Sequence, residues 1–245
     1  MARHRILLDD PSLTLVAGSR VVVGGDEAHH AARVKRCAVG DAVDVLNGMG
    51  VRGESAIAAI RKSRDGWELE LEIRAVQQSP RPRPRLEVFA AAAKGERLEE
   101  MIDGLSQVGA DVYRPLLSKR TVVDPREGKL TRLRRVAHES MKQCGRTWAM
   151  EIGEPIAFKD ALSGPDAGTV VLAADATGGA PPARQIAEAE RVILLVGPEG
   201  GFSEDEFTQL KAADVPTFRF SPHVLRVETA AVVGAALLRT LSSPR

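Results

Sequence analysis

The stretch LLVGPEGGFSEDEF, Leu194–Phe207, decides how the second half of this chain folds. Before it, RVILLV is a continuous apolar run that reads as a buried strand. It stops at Gly197-Pro198, which forces a sharp change of direction. Gly200-Gly201 permit positive φ and let another group approach the backbone closely. Ser203-Glu204-Asp205-Glu206 then has the spacing of a capping box, with Ser203 as cap and Glu206 reaching back. The acidic run is therefore a helix start, whereas a metal site would need converging ligands from elsewhere. Strand, glycine loop and helix make one unit of an open α/β sheet, in which ligands sit beyond the carboxyl ends of strands. The loop matches neither a GxGxxG fingerprint nor a Walker loop. Taken alone, it reads first as a tight turn.

Outward from this unit the pattern repeats. LEVFAAAA, VYRPLLS, TVVLAAD and TFRFS read as further strands. ERLEEMIDGLSQVG puts Leu98, Met101, Ile102, Leu105 and Val108 on one helical face and ends at Gly109. KLTRLRRVAHESMKQCG is a basic helix, and SEDEFTQLKAAD and VETAAVVGAALLRTL are two more. Apolar strands alternating with helices imply a mostly parallel sheet covered on both faces.

Toward the N-terminus the pattern breaks at VQQSPRPRPRLEV. Alternating Pro and Arg favours a stiff extended connector, placed at 76–85. Before it, SRVVVGG, DAVDVLNG, GESAIAAIRK and GWELELEIRAV read as short strands separated by glycine turns. DEAHHAARVKR between them reads as a short helix with Asp26 as N-cap. This gives a small β-rich barrel domain over 1–75 and an α/β domain over 86–245.

Composition bounds the function. Aromatics are 4% of the chain, so the cores must be built from Val, Leu, Ile and Ala. No stretch reaches the ~20 apolar residues of a membrane span, and the first residues lack the apolar region of a signal peptide. Cys37 and Cys144 are far apart and not in metal spacing, which points to a reducing, cytoplasmic setting and to no metal. The net charge of +1 hides an uneven distribution. Residues 114–146 carry ten Lys/Arg against three Asp/Glu, and residues 147–218 carry four against twelve. A basic segment of that kind fits a polyanion or a solvated helix face. In the first domain, Arg3, Arg5, Arg33, Lys35 and Arg36 are candidate phosphate contacts. His29 and His30 read equally as structure or as polyanion contact, and Arg146 as a contact to a polyanion or to a second copy of the chain.

FRFSPHVLRVETAAVVGAALL, Phe218–Leu238, is a second strand, loop and helix, the helix apolar all round and so buried in the core or at a subunit interface. LLVGPEGGFSEDE together with LRVETAA resembles the RsmE family of 16S ribosomal RNA uridine N3-methyltransferases, within the SPOUT superfamily. HH…VKRCAVGD, KGERLE, QVGAD and KQCGR support the resemblance in the same order, over nearly the whole chain.

The resemblance implies a PUA-like RNA-binding β-barrel followed by a SPOUT α/β domain with a deep trefoil knot, a rare exception to unknotted topology. It implies a homodimer, S-adenosylmethionine as cofactor, and N3-methyluridine near the decoding centre of the assembled small ribosomal subunit as product. Gly197, Gly200, Gly201, Leu225 and Thr229 would form the centre of the cofactor pocket. Leu195, Val196 and Val227 would add apolar walls, Ser221 would shape the loop, and Ala174 and Asp175 would lie at the methionine end. Transfer to uracil N3 needs a base for its proton and a cation for the charge on the flanking carbonyl oxygens. Arg226 is expected to be that cation, with Glu199 and Glu228 as base candidates. Departures from the family pattern are Asp103, Gly104 and Gln107 in the helix after KGER, and Ser221 and His223 where the family usually shows Gly and Arg. Asp103, Gly104, Gln107 and His223 motivate a second reading, a non-catalytic RNA-binding ribosome assembly factor that keeps the fold; a third reading is an enzyme acting on another small nucleotide-like ligand at the same strand ends.

Overall fold

The computed structural model describes residues 3–64, 66–163 and 166–242. The chain packs as two units. One holds the residues up to Arg81 together with Met141–Ala149; the other holds Pro82–Ser140 and the chain from Met150 onward.

In the first unit β1 (His4–Leu7), β2 (Arg20–Val23), β3 (Ala42–Leu46), β4 (Val51–Ser63) and β5 (Gly66–Gln78) form one sheet in the order β1-β3-β4-β5-β2. Only β1 and β3 run parallel. Ile6 of β1 and Val21 of β2, at opposite edges, enter the same core as Val43, Ile57 and Leu71. The sheet therefore curls into a barrel, although its two edge strands are not hydrogen-bonded to each other among the described residues. The helix α1 (Gly25–His29) continues as a π-turn through His30–Val34. Its N-cap is Gly24, and Asp26, expected there, lies in the first turn, where its charge complements the helix dipole.

Two boundaries differ from the sequence expectation. β5 runs to Gln78, inside the expected connector, because the first proline that interrupts a ladder is Pro80. Residues 141–149 belong to the first unit for local reasons. Arg5 Nη1 donates to the carbonyls of Lys142 (2.7 Å) and Gln143 (3.0 Å), and the Trp148 indole donates to those of Ser79 (3.1 Å) and Pro80 (3.2 Å). Gly50 admits that indole, since a Cβ there would come within 2.6 Å of it.

The second unit contains β6 (Arg85–Ala90), α2 (Arg97–Gln107), β7 (Val112–Leu117), α3 (Glu127–Cys144), β8 (Glu151–Ile152), β9 (Ile156–Ala157), α4 (Phe158–Ala161), β10 (Thr169–Gly179), α5 (Ala183–Glu188), β11 (Arg191–Val196), α6 (Glu204–Ala212), β12 (Thr217–Phe218) and α7 (Val227–Ser242). The strand order is β12-β10-β11-β6-β7-β8, with β9 also on β7, and every pairing is parallel. Alternation along β11 feeds two cores. Val192, Leu194 and Val196 face α2, α5 and α7, while Ile193 and Leu195 face α4 and α6. β10 is continuous with β11 up to Ala174–Val196, after which a bulge intervenes before Gly179 pairs with Phe218.

Candidate functional site

The site lies at the carboxyl ends of β10 and β11. Three segments converge there: Ala174–Ala176 at the bulge, the loop after Val196, and the chain between β12 and α7. Together they enclose about 710 Å³, counting space open to solvent.

Local interactions hold each wall. Ser203 Oγ accepts from Glu206 N (3.3 Å), and Glu206 Oε2 accepts from Ser203 N (2.7 Å), so the expected capping box is present. Gly201 has a φ of +66°, and Gly197 packs under the Phe202 ring. From the segment after β7, Arg120 Nη1 donates to the carbonyls of Gly200 and Phe202. Lys119 donates its backbone N–H to Glu206 Oε1 (2.8 Å) and pairs with Asp205 (2.8 Å). The Lys119 ammonium holds the Asp205 carboxyl below the usual carboxylate range. At the bulge, Asp175 Oδ1 accepts from Thr177 N (2.8 Å) and Thr177 Oγ1 (2.5 Å). Gly178 is required there, because a Cβ would meet the backbone N of Phe218 at 2.6 Å. On the third wall, Ser221 Oγ accepts from His223 N (3.1 Å), so this departure from the family pattern closes a local turn.

Of the residues expected to hold a cofactor, Ala174, Asp175, Val196, Gly197, Gly201, Ser221, Leu225 and Val227 line this pocket. Leu195 does not; the strand pleat turns it into the opposite core, where it is fully buried. Gly200 lies outside the lining, occupied by Arg120, and Thr229 is exposed on α7. Of the three catalytic candidates Glu199 lines the pocket. Arg226 sits between two lining residues but is itself exposed and outside the lining. Glu228 is turned away toward Arg97, at 3.9 Å, with its side chain 13% exposed.

Pro198, Phe202, Arg219, Phe220, His223 and Val224 also line the pocket without having been expected to. All fall inside the two stretches quoted above. Nothing in their spacing distinguishes a wall from a neighbouring turn.

The expected RNA contacts separate in the same way. Arg3 pairs with Glu54 (2.7 Å), which raises its own pKa, and with Asp44 (3.6 Å). Arg5 is committed to the carbonyls at the end of α3, where a cation complements the helix dipole. Arg146 is half-buried, whereas Arg33 and Arg36 are exposed, the latter with a φ of +54°. His30 stacks on His4 at 5.8 Å.

A family model described as an RNA methyltransferase domain matches residues 79–239, and one described as an RNA methyltransferase PUA domain matches residues 23–64. The ribosomal RNA small subunit methyltransferase E of Mycobacterium bovis is 30% identical over 236 residues, covering 92% of this chain and 88% of that protein. The chain belongs to that methyltransferase family. The Synechocystis member is 28% identical over 222 residues, 88% of this chain and 71% of its own. Among solved structures, the Neisseria gonorrhoeae member bound to S-adenosyl methionine superposes with a TM-score of 0.87 at 20% identity, over 98% of both chains. A Legionella pneumophila protein in complex with the bound cofactor SAM gives 0.81 at 22% identity, again over 98% of both. These likenesses show the methyltransferase fold with its N-terminal PUA domain.

The departures within the family pattern have local explanations. Gln107 Nε2 donates to Asp103 Oδ2 (2.8 Å) one helical turn away. Gly104 faces α7, where a Cβ would meet Val232 Cγ2 at 2.8 Å.

Proposed function

We propose that this chain transfers a methyl group from S-adenosylmethionine to N3 of a uridine in 16S ribosomal RNA. The target lies near the decoding centre of the assembled small subunit, and the enzyme works as a cytoplasmic homodimer. The observation that carries the reading is the pocket at the ends of β10 and β11. Val196, Leu225 and Val227 offer apolar surface to a purine, the glycine loop offers backbone groups at close range, and Asp175 and Glu199 offer counter-charge to a cation. The residues present therefore fit the cofactor. The names of the relatives and the ligands of the two structural neighbours support the same assignment.

When bound, the cofactor supplies a methyl carbon made electrophilic by its sulfonium. The chain's residues have three tasks: to align the acceptor, to take a proton and to stabilise charge. Uracil N3 has no free lone pair while protonated, so a carboxylate must remove that proton as the new bond forms. Glu199 lines the pocket and is exposed, so it can receive the proton and pass it to water. Glu228 is the poorer base, being withdrawn toward Arg97. Arg226 presents its guanidinium at the surface between Leu225 and Val227, where the carbonyl oxygens of an incoming uracil would meet it.

The trefoil knot and the homodimer belong to the same proposal. Val224 and Val233 remain exposed at 84% and 40%, apolar surface that a second copy would cover. The assembly-factor reading has less support, since Asp103, Gly104 and Gln107 have structural explanations that require no loss of activity. The test is to incubate the protein with labelled cofactor and small subunits lacking their native methylation. Label should enter the RNA of the particle and not protein-free 16S RNA. Cofactor binding with no label in either would favour the assembly factor.

A further inference from the structure

The bulge in β10 keeps two opposite charges apart at the mouth of the pocket. β10 and β12 are in register at Ala174–Phe218, so regular parallel strands would next set Asp175 beside Arg219. The bulge removes Asp175 from that position. Arg219 instead donates its backbone N–H to Gly179 O at 2.9 Å, and Asp175 turns back on Thr177. Both side chains line the pocket, yet they form no ion pair with each other. The half-buried Asp175 spends Oδ1 on Thr177 and keeps Oδ2 for another donor; Arg219 is exposed, and its guanidinium has no ionic partner among the described residues. Such a pair, separated yet sharing one cavity, suits a ligand that carries both charges a few ångströms apart.

Resting on the cofactor reading above, we propose that Arg219 is a specificity residue that binds the α-carboxylate of the cofactor's amino-acid end, with Asp175 facing its ammonium. Arg219 can offer two parallel N–H donors to a carboxylate, the geometry that distinguishes it from a simple point charge. Its backbone bond to Gly179 fixes where that fork starts, so the preference is set by the strand edge and not by a mobile loop. Glu199 is left for the proton of the acceptor base.

The test compares S-adenosylhomocysteine with its decarboxylated analogue by calorimetry, without RNA. The two ligands differ only in the carboxylate. The wild-type protein should prefer the first by about fivefold, in keeping with a partly solvated charge pair. Arg219→Ala should abolish that preference while binding the decarboxylated ligand as the wild type does, and Arg219→Lys should restore part of it. Because the side chain is exposed, the variant's Tm should not change. Equal loss for both ligands, or no loss for either, would overturn the proposal while leaving the cofactor reading intact. A variant defective only in KM for the RNA would overturn it too, by assigning Arg219 to a phosphate. Failure of the wild type to bind either ligand would remove the cofactor reading, and this inference with it.

Discussion

At the residue scale the geometry of the site follows from strand alternation and from a few glycines. Val196 lines the pocket and Leu195 does not, because adjacent residues on a strand face opposite ways. That distinction was legible: Val192, Leu194 and Val196 share one face, so Leu195 had to belong to the other. Arg226 repeats the relation between Leu225 and Val227, outside the lining. Arg226→Ala should bind S-adenosylmethionine as the wild type does and lose about 100- to 1,000-fold in kcat, the cost of removing one oxyanion-type donor. Full activity in that variant would take Arg226 out of the mechanism. Gly178 tests the bulge itself. Its Cβ would strike backbone, which cannot rotate aside, so Gly178→Ala should cost about 1–3 kcal/mol in urea denaturation. Ligand affinity should fall with it as Arg219 and Phe220 shift. The roles of Arg219 and Arg120 could not be read beforehand, because both depend on which backbone carbonyl lies nearby after folding.

At the element scale the long periodic segments were readable and the short ones were not. The face Leu98, Met101, Ile102 and Leu105 is buried as its spacing requires. By contrast β8, β9 and α4, of two to four residues, are too short to show a period. β1 was missed because His4–Leu7 has charges on both sides and gains its strand identity by pairing with β3. Packing of α2 on α7 depends on Gly104 opposite Val232. Gly104→Ala should lower stability by about 1–2 kcal/mol despite the better helix propensity of alanine, because the methyl overpacks the contact. Val232→Ala in the same chain should recover most of the loss. A variant more stable than wild type would show that the contact has room. Across α2 and α3, Glu99 accepts from Lys129 (2.7 Å) and pairs with Arg132 (2.8 Å). Lys129, and then Arg132, hold its carboxyl below the ordinary glutamate value of 4.5, against the opposing effect of burial. A depressed folded value contributes stability above the unfolded value that is lost as pH falls through the folded one. Glu99→Gln should therefore cost about 1 kcal/mol at neutral pH and progressively less below pH 4.5. Denaturation midpoints across that range would show it, and a difference independent of pH would mean the charge is not responsible.

At the scale of the whole molecule, two modules with different patterning follow each other along one chain, and the switch from strand alternation to strand–helix alternation marks them. What patterning could not reveal is the return of Met141–Ala149 to the first unit, a consequence of tertiary hydrogen bonds from Arg5 and Trp148. The second module brings together three loops distant in sequence at one set of strand ends, and the function proposed depends on that convergence. The most direct measurement is to digest the RNA of small subunits after reaction with labelled S-adenosylmethionine and separate the nucleosides. The account predicts that the label elutes as N3-methyluridine. Label in any other nucleoside would contradict it.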